Sequence, residues 1–188
     1  MALYSLNLVG ESLTNRKSTP SEAPRFASQE AEGQAVPKAE RSPLPLYYLA
    51  YFASLQANHK SAKAYLNQAA KTYGDYAFPS RPEAVEVFKY AITENPDDAY
   101  AHLHLGNLYG NFGRLDEARS HWQRAGELDP SLSITFRNLG LYAWAVENDL
   151  TKAEEFYRKA IAARPKDQTL YRDSADILLA ANIMLTAL

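Results

Sequence analysis

From residue 43 onward, apolar residues recur every three or four positions, and small residues return at a fixed place in that pattern. This spacing predicts amphipathic α-helices. Two stretches, one starting at Ala99 and the other at Ser133, follow the same order of apolar, small and polar positions. In both, a Leu-Gly pair lies in the first apolar stripe and an alanine opens the second. The pattern therefore predicts pairs of helices that repeat along the chain.

The two copies align through an aromatic or histidine position, a Leu-Gly pair, two alanines and a final proline. In the first copy the aligned residues are His102, Leu105, Gly106, Tyr109, Ala118, Trp122, Ala125 and Pro130; in the second they are Phe136, Leu139, Gly140, Ala143, Ala153, Tyr157, Ala160 and Pro165. The second copy carries one extra residue, near Glu147-Asn148-Asp149. Small residues let the two helices of a pair approach closely, and proline ends the second helix because it lacks a backbone donor.

This pattern resembles the tetratricopeptide repeat (TPR), a helix-turn-helix unit of about 34 residues. The resemblance implies an all-α, right-handed α-solenoid in which stacked helix pairs share one core. A weaker unit, with alanine in place of glycine, precedes the two good copies, and a half unit follows it. The units cover residues 43–71, 82–96 (the half unit), 99–132, 133–167 and 168–188 (a closing helix).

Residues 1–42 differ in composition from the rest of the chain. Residues 2–13 predict a short helix, and the segment after it is rich in Ser, Pro, Glu and Lys. Such a segment buries too little apolar surface to offset the entropy lost on ordering. We therefore expect a short helix with a loosely ordered linker at 1–42 and a TPR-like solenoid at 43–188. The short helix is alternatively the remnant of an earlier repeat.

The small net charge argues against some classes of partner, and the absence of cysteine excludes disulfides and thiolate metal sites. The net charge is −2 and the chain has no cysteine. No global field attracts nucleic acid or acidic membranes, and neither a disulfide nor a thiolate metal site can form. The most apolar run, ILLAANIMLTAL, is far shorter than the ~20 residues that span a bilayer. We expect a cytoplasmic protein with neither nucleic-acid nor membrane partners.

A further resemblance concerns the run DYAFPSRPEAVEVFKYAITENPDDAYAHLHLGNLYG, followed by RNLGLYAW. Over roughly residues 43–175, the chain is similar to the repeat region of a family of large bacterial proteins. In that family a front portion of unknown function, to which carbohydrate-active character is attributed, precedes the TPR array. This sequence does not contain the front portion, so no activity of that portion carries over to it.

The pair His102-x-His104 raises the question of a metal site. Two positions apart on a helix, the rings point about 200° away from each other and cannot share one ion. His102 falls on the aromatic position of the repeat and is expected to pack against the partner helix. No glycine-rich phosphate loop, serine elbow or metalloprotease helix is present. We therefore expect no metal, no cofactor and no enzymatic activity.

The TPR resemblance also implies a binding surface, because the first helix of each unit lines the concave groove of the solenoid. Asparagine can donate to and accept from a peptide backbone, and arginine can hold a carboxylate with two parallel bonds. We predict a non-enzymatic scaffold that binds a peptide segment or a partner domain in this groove. The groove-facing residues are predicted to be Tyr47, Tyr48, Tyr51, Tyr100, His104, Asn107, Asn111, Arg137, Asn138, Leu141, Trp144 and Arg172.

Other roles for these residues stay open. The first three tyrosines could pack against the N-terminal segment, the asparagines could be ordinary solvated residues, and Trp144 could support the lengthened turn. The two-carboxylate clamp of chaperone-binding TPR proteins needs a basic residue at the second position of successive first helices. Here those positions hold Leu44, Tyr100, Ile134 and Thr169, which argues against a chaperone tail as partner.

Two alternative functions belong to other classes. In the first, the chain is an accessory TPR module of a larger carbohydrate-active bacterial protein. In the second, it forms a homodimer through the C-terminal helix, where apolar residues have no obvious second helix to cover them. These residues are Ile177, Leu178, Ile183 and Leu185.

Overall fold

A computed structural model describes residues 42–72 and 79–186, with side chains up to residue 179, and these ranges form eight α-helices and no strand. The all-α prediction is confirmed for this part of the chain. The predicted helix at 2–13 and its linker lie outside the described residues. The helices are α1 (Leu44–Leu55), α2 (His59–Ala69), α3 (Ala84–Glu94), α4 (Ala99–Asn111), α5 (Leu115–Leu128), α6 (Ser133–Ala145), α7 (Leu150–Ala163) and α8 (Gln168–Thr186).

The helices pack mainly on their neighbours in the chain, as a solenoid requires. The closest pairs are α1 with α2, α4 with α5, and α6 with α7, each joined by a short turn. Helices α3 and α4, α5 and α6, and α7 and α8 connect one pair to the next. The predicted α-solenoid of helix-turn-helix units is confirmed.

Glycine brings the helices of the two best pairs into close contact. A Cβ added at Gly106 would lie 2.7 Å from Trp122 Cδ1, and one added at Gly140 would lie 2.7 Å from Tyr157 Cδ2. Both distances are shorter than carbon atoms tolerate, so each aromatic ring occupies the space that a side chain would need. In both pairs, the glycine of the first helix therefore makes room for the aromatic ring of the second helix.

The turn inside each helix pair contains one residue in the left-handed conformation. These residues are Ala57 (φ 56°), Gly113 (φ 75°) and Asn148 (φ 54°). Glycine adopts this conformation without cost, asparagine tolerates it, and alanine is strained there. The turn between α6 and α7, which contains the extra residue, therefore still has one residue in the left-handed conformation, Asn148.

Proline ends the second helix of three units, those of α3, α5 and α7, in one recurring geometry. The residues before Pro96, Pro130 and Pro165 follow the ends of α3, α5 and α7. They are Asn95 (φ −142°, ψ 90°), Asp129 (φ −139°, ψ 94°) and Arg164 (φ −142°, ψ 75°). Proline disfavours the helical region for the residue before it, which explains the extended backbone at all three positions.

Helix α1 packs against α3 as well as α2, and so contacts the half unit that has no first helix of its own. The ring centroids of Tyr47 on α1 and Phe88 on α3 are 5.1 Å apart. The Tyr47 hydroxyl lies 2.9 Å and 3.0 Å from the two carboxylate oxygens of Asp98. Asp98 also caps α4, since its Oδ1 accepts from the Ala101 amide at 3.0 Å. One buried contact therefore links α1 to the start of α4.

Candidate peptide-binding groove

His102 and His104, two positions apart on α4, lie in different surroundings. His102 faces α5, where its ring meets His121 at a centroid distance of 5.2 Å. His104 lies on the other side of α4, with its ring centroid 5.2 Å from that of Phe88 and 6.4 Å from that of Tyr47. The two rings therefore serve different packing contacts. Among the described residues, no group of three or more His, Asp or Glu side chains could hold a metal ion.

Three predicted groove residues are buried. Tyr47, Tyr100 and His104 are 0%, 8% and 1% exposed. The expectation that they face a partner is wrong in this structure, because α1 packs on α3 and its Tyr47 reaches α4. Burial lowers the pKa of His104 to about 4. Burial, and then the charge of Asp98, raises the pKa of Tyr47.

Tyr48 and Tyr51 remain half-buried on α1, beside an exposed aromatic ring that the sequence did not single out. Phe52 is 53% exposed. Its ring centroid lies 6.3 Å from that of Tyr48 and 6.2 Å from that of Tyr51. Tyr51 also approaches Tyr90 of α3, at 6.0 Å between centroids. Exposed Leu49 and Leu55 extend this apolar face.

Asn107 of α4 and Asn138 of α6 are hydrogen-bonded to each other. Asn138 Nδ2 donates to Asn107 Oδ1 at 2.8 Å, and the Trp122 indole N–H donates to the same oxygen at 2.9 Å. An indole nitrogen can only donate, so this bond fixes which end of the Asn107 amide is the oxygen. The orientation of Asn138 follows, since it must offer its nitrogen to that oxygen.

The groups left over in this network are complementary to a peptide unit. Asn107 Nδ2 and Asn138 Oδ1 make no hydrogen bond within the described part of the chain, and both side chains are partly exposed. One is a donor and the other an acceptor, as are the N–H and C=O of a peptide. Trp122, held against Gly106, fixes both orientations before any partner arrives.

A small cavity of about 170 Å³ adjoins Asn138. Two apolar residues at its edge are conspicuously open to solvent: Leu115 is 39% exposed and Val146 is 43% exposed. The sequence did not single out either residue, because both lie at helix ends. The lining consists of Leu115, Trp122, Asn138, Leu141, Tyr142, Ala145 and Val146.

The remaining predicted groove residues are not gathered into one site. Arg137 is paired with Asp173 of α8, with its Nε and Nη2 both 2.7 Å from Asp173 Oδ2. The carboxylate that Arg137 holds is therefore one from the same chain. Arg172 and Asn111 are exposed, and Trp144 is half-buried.

A larger cavity of about 780 Å³ lies between α5, α6 and α7 and shares none of the predicted groove residues. Phe136, Leu139 and Phe156 form much of its apolar lining, and the Lys159 amine lies 5.4 Å from the centroid of the Phe156 ring. The asparagine pair and this cavity are separate surfaces.

The apolar face expected on the C-terminal helix is only partly open. Ile177 is 5% exposed, so its expected exposure is wrong, whereas Leu178 and Leu179 are 43% and 59% exposed. Ile183 and Leu185 lie outside the residues whose side chains are described. None of the helices in the described ranges is long and apolar enough to cross a membrane.

Comparison with known proteins confirms the repeats. A family model described as tetratricopeptide repeat matches residues 81–133, and a second with the same description matches residues 147–167. Similar solved structures include YrrB, described as a TPR protein with an unusual peptide-binding site (22% identity, 71% of this chain and 75% of that one, TM-score 0.46). Another is a thermophilic TPR protein of Thermus thermophilus (23% identity, 74% and 82%, TM-score 0.47).

Three curated relatives are much longer than this chain. The human protein O-mannosyl-transferase TMTC3 is 28% identical over 154 residues, which are 74% of this chain and 16% of that protein. The Hsp70-Hsp90 organizing protein 3 of Arabidopsis thaliana is 31% identical over 87 residues (46% and 15%). Anaphase-promoting complex subunit 3 of Schizosaccharomyces pombe is 30% identical over 151 residues (73% and 22%). The chain thus spans between 15% and 22% of these three relatives.

Proposed function

We propose that this chain, which contains tetratricopeptide repeats, is a non-enzymatic scaffold that binds an extended segment of a partner protein in the groove between α4 and α6. The observation that carries the proposal is the fixed pair Asn107 and Asn138, in which the Asn107 amide nitrogen and the Asn138 amide oxygen make no hydrogen bond among the described residues. The donor matches a peptide carbonyl and the acceptor matches a peptide N–H.

Asn107 and Asn138 together are called the asparagine clamp. Its binding energy suits a reversible interaction. A hydrogen bond contributes about 0.5–1.5 kcal/mol net in water, so two such bonds contribute about 1–3 kcal/mol. This corresponds to between about fivefold and 150-fold in affinity. Further affinity would come from apolar contact at Leu115 and Val146, which are exposed beside Asn138.

A free carboxylate is not the main feature recognised. The second positions of the first helices, Leu44, Tyr100 and Ile134, carry no positive charge. Arg137 is already paired with Asp173. We therefore propose a partner recognised through its backbone within the chain, and not through a terminal carboxylate.

A displayed library of random 12-residue peptides tests this function. Peptides are selected on the wild-type chain and then measured against Asn107→Ala/Asn138→Ala. We expect the double variant to lose between fivefold and 150-fold in affinity, as worked out above. The matched control is Asn111→Ala, an exposed asparagine on the same helix as Asn107, which should bind like the wild type. Equal binding by the double variant, shown by circular dichroism to be folded, would contradict the clamp.

A second candidate function is an accessory TPR module within a larger carbohydrate-active protein. It is favoured by the similarity of 74% of this chain to 16% of an O-mannosyl-transferase. This function predicts binding to a folded glycan-transferring domain encoded beside or with the repeats. Co-expression with such a domain and size-exclusion chromatography would test it. Separate elution of the two proteins would remove this candidate.

Homodimerisation through α8 is a third candidate, favoured by exposed Leu178 and Leu179. Sedimentation equilibrium over a range of concentrations tests it. A dimer that Leu178→Glu converts to monomer would support it, and a monomer at the highest concentration would exclude it.

A further inference from the structure

His102 on α4 and His121 on α5 contact each other through their ring nitrogens, between the two helices of this pair. Their Nδ1 atoms are 3.0 Å apart, and their ring centroids are 5.2 Å apart. The difference between these separations is close to two ring radii, so the nitrogens point at each other. This is the arrangement of one N–H···N hydrogen bond and not of two ligands that converge on a metal from different directions. His102 is 8% exposed, and His121 is half-buried.

The surroundings fix which nitrogen carries each hydrogen. His102 Nε2 lies 3.2 Å from the Pro96 carbonyl oxygen, which can only accept, so this nitrogen carries a hydrogen. The Nδ1 of a neutral His102 is then bare, and the shared hydrogen belongs to His121 Nδ1. His121 Nε2 is left bare as well. It has no partner in the described residues and is not among the fully buried atoms, so it reaches solvent.

We infer that His102 and His121 form a proton-sharing pair that takes up one proton without losing a contact and takes up a second only by breaking the bond between α4 and α5. The first proton goes to His121 Nε2, and His121 Nδ1–H still donates to His102. The second must go to His102 Nδ1. That nitrogen would then face another N–H, with two positive charges across the 3.0 Å contact.

Charged groups of both signs surround the pair. Burial is the main cause that lowers the pKa of both histidines. The charge of a cationic His102 also lowers the pKa of His121, whereas the hydrogen bond to the Pro96 carbonyl acts to raise the pKa of His102. The other charged groups are Asp97 and Asp98 before α4, Arg114 before α5, Glu117 and Arg124 on α5, and Lys89 on α3, which acts on Glu117.

Because both pKa values are lowered in the folded chain, the free energy of unfolding decreases as the pH falls. The unfolded chain takes up protons at a higher pH than the folded chain. The pair therefore contributes its full stability above about pH 6.5 and loses it as the pH falls toward the folded pKa values. The loss should come in two steps, because strongly interacting sites titrate as a pair.

The second protonation should also reach the groove. Trp122 directly follows His121, and its indole donates to Asn107 on α4, the same helix that carries His102. The indole bond, one residue away from His121, joins the same two helices, as does the ring of Tyr109 on α4, whose centroid lies 5.6 Å from that of His121. The pair thus makes the proposed binding groove sensitive to pH. This part of the inference rests on the proposed function, whereas the proton sharing does not.

Nitrogen NMR of the full-length chain, labelled with ¹⁵N at histidine and tryptophan, tests the pair directly. At pH 8 we expect His102 as the Nε2–H tautomer and His121 as the Nδ1–H tautomer. On acidification, His121 should take up the first proton. The second uptake should follow at least about one pH unit lower. The Trp122 indole N–H signal should shift with the second step and not with the first.

Two variants make the result decisive. In His121→Asn, the side-chain amide can turn and accept from a protonated His102, so His102 should titrate at a higher pH than in the wild type. In His104→Phe, the titration of the pair should not change, because His104 lies on the other side of α4. Nε2–H tautomers for both histidines at pH 8, or two independent titrations with the indole signal unmoved, would overturn the inference. If the NMR result holds but no library peptide binds, the proton pair stands and only the groove function fails.

Discussion

Replacing His104 with phenylalanine is expected to flatten the loss of stability that the chain suffers in acid. His104 is 1% exposed, and neither ring nitrogen has a hydrogen-bond partner among the described residues. Its neighbours are the rings of Tyr47, Phe88 and Tyr100. A positive charge has no compensation there, so the folded chain keeps this imidazole neutral.

The size of the stability loss that His104 causes in acid follows from its pKa. Burial lowers the pKa of His104 from 6.5 to about 4. At about 1.36 kcal/mol for each pKa unit, this gap corresponds to about 3 kcal/mol. Because the folded pKa is the lower one, the unfolded chain binds the proton first. The contribution is fully present above about pH 6.5 and is lost as the pH falls toward 4.

At pH 7, the difference in stability between wild type and His104→Phe contains two effects besides the neutral state of the imidazole. Removing two unpaired buried nitrogens stabilises the chain by about 1–3 kcal/mol. The larger phenyl ring can cost a similar amount through overpacking, about 1–3 kcal/mol. The change in stability between two pH values is free of both effects, because each is present at both.

Urea denaturation followed by circular dichroism at pH 7 and at pH 4 measures that change. Wild type should lose about 3 kcal/mol more between these pH values than His104→Phe does. His104→Leu, which is not aromatic, should behave like His104→Phe and guards against a misfolded variant. His102 and His121 are present in all three proteins, so their contribution cancels. Equal acid losses in wild type and both variants would refute the reasoning.

Three further predictions concern stability at pH 7, measured by urea denaturation. Tyr47→Phe should cost about 1.5–3 kcal/mol because it removes the hydroxyl from a buried carboxylate; Tyr48→Phe, which removes no described hydrogen bond, should cost nothing measurable. Gly106→Ala should cost about 1–3 kcal/mol because its Cβ would lie 2.7 Å from an indole carbon; Asn111→Ala on the same helix should be neutral. Ala57→Gly should stabilise the chain by about 1 kcal/mol because φ is 56° there; a loss of stability would contradict the strain argument.

The repeated helix pairs could be predicted from the sequence because each feature acts locally. Glycine allows close approach, and proline disfavours helix at the residue before it, wherever they occur in the chain. Gly106, Gly140, Pro130 and Pro165 therefore had the structural roles expected of them.

The burial of Tyr47 and His104 could not be predicted in the same way. The repeat pattern predicts the groove positions on the assumption that a complete unit lies on each side. The half unit at 82–96 breaks this assumption. Helix α1 packs against α3, and Tyr47 reaches Asp98 at the start of α4. A contact between residues 51 positions apart leaves no local signal in the chain.

The asparagine pair was predicted only as separate residues. Asn107 and Asn138 were both placed in the groove, but their bond to each other depends on Trp122, which the pattern assigned to packing alone. The pairing of Arg137 with Asp173 was missed for a similar reason, because Asp173 lies on the closing helix where the repeat pattern is weakest. Such contacts depend on side-chain geometry across two or three helices.

The central claim is that Asn107 and Asn138 clamp the backbone of an extended peptide, and isothermal titration with backbone-modified peptides tests it most directly. One library-selected peptide is made as a series in which each backbone nitrogen in turn is methylated. We predict that methylation at one position removes the hydrogen bond to Asn138 Oδ1 and weakens binding to the wild type between about twofold and 12-fold, which is about 0.5–1.5 kcal/mol. The same change should have little effect on the already weakened binding to Asn107→Ala/Asn138→Ala. A series in which every methylated peptide binds the wild type as tightly as the parent would contradict the account.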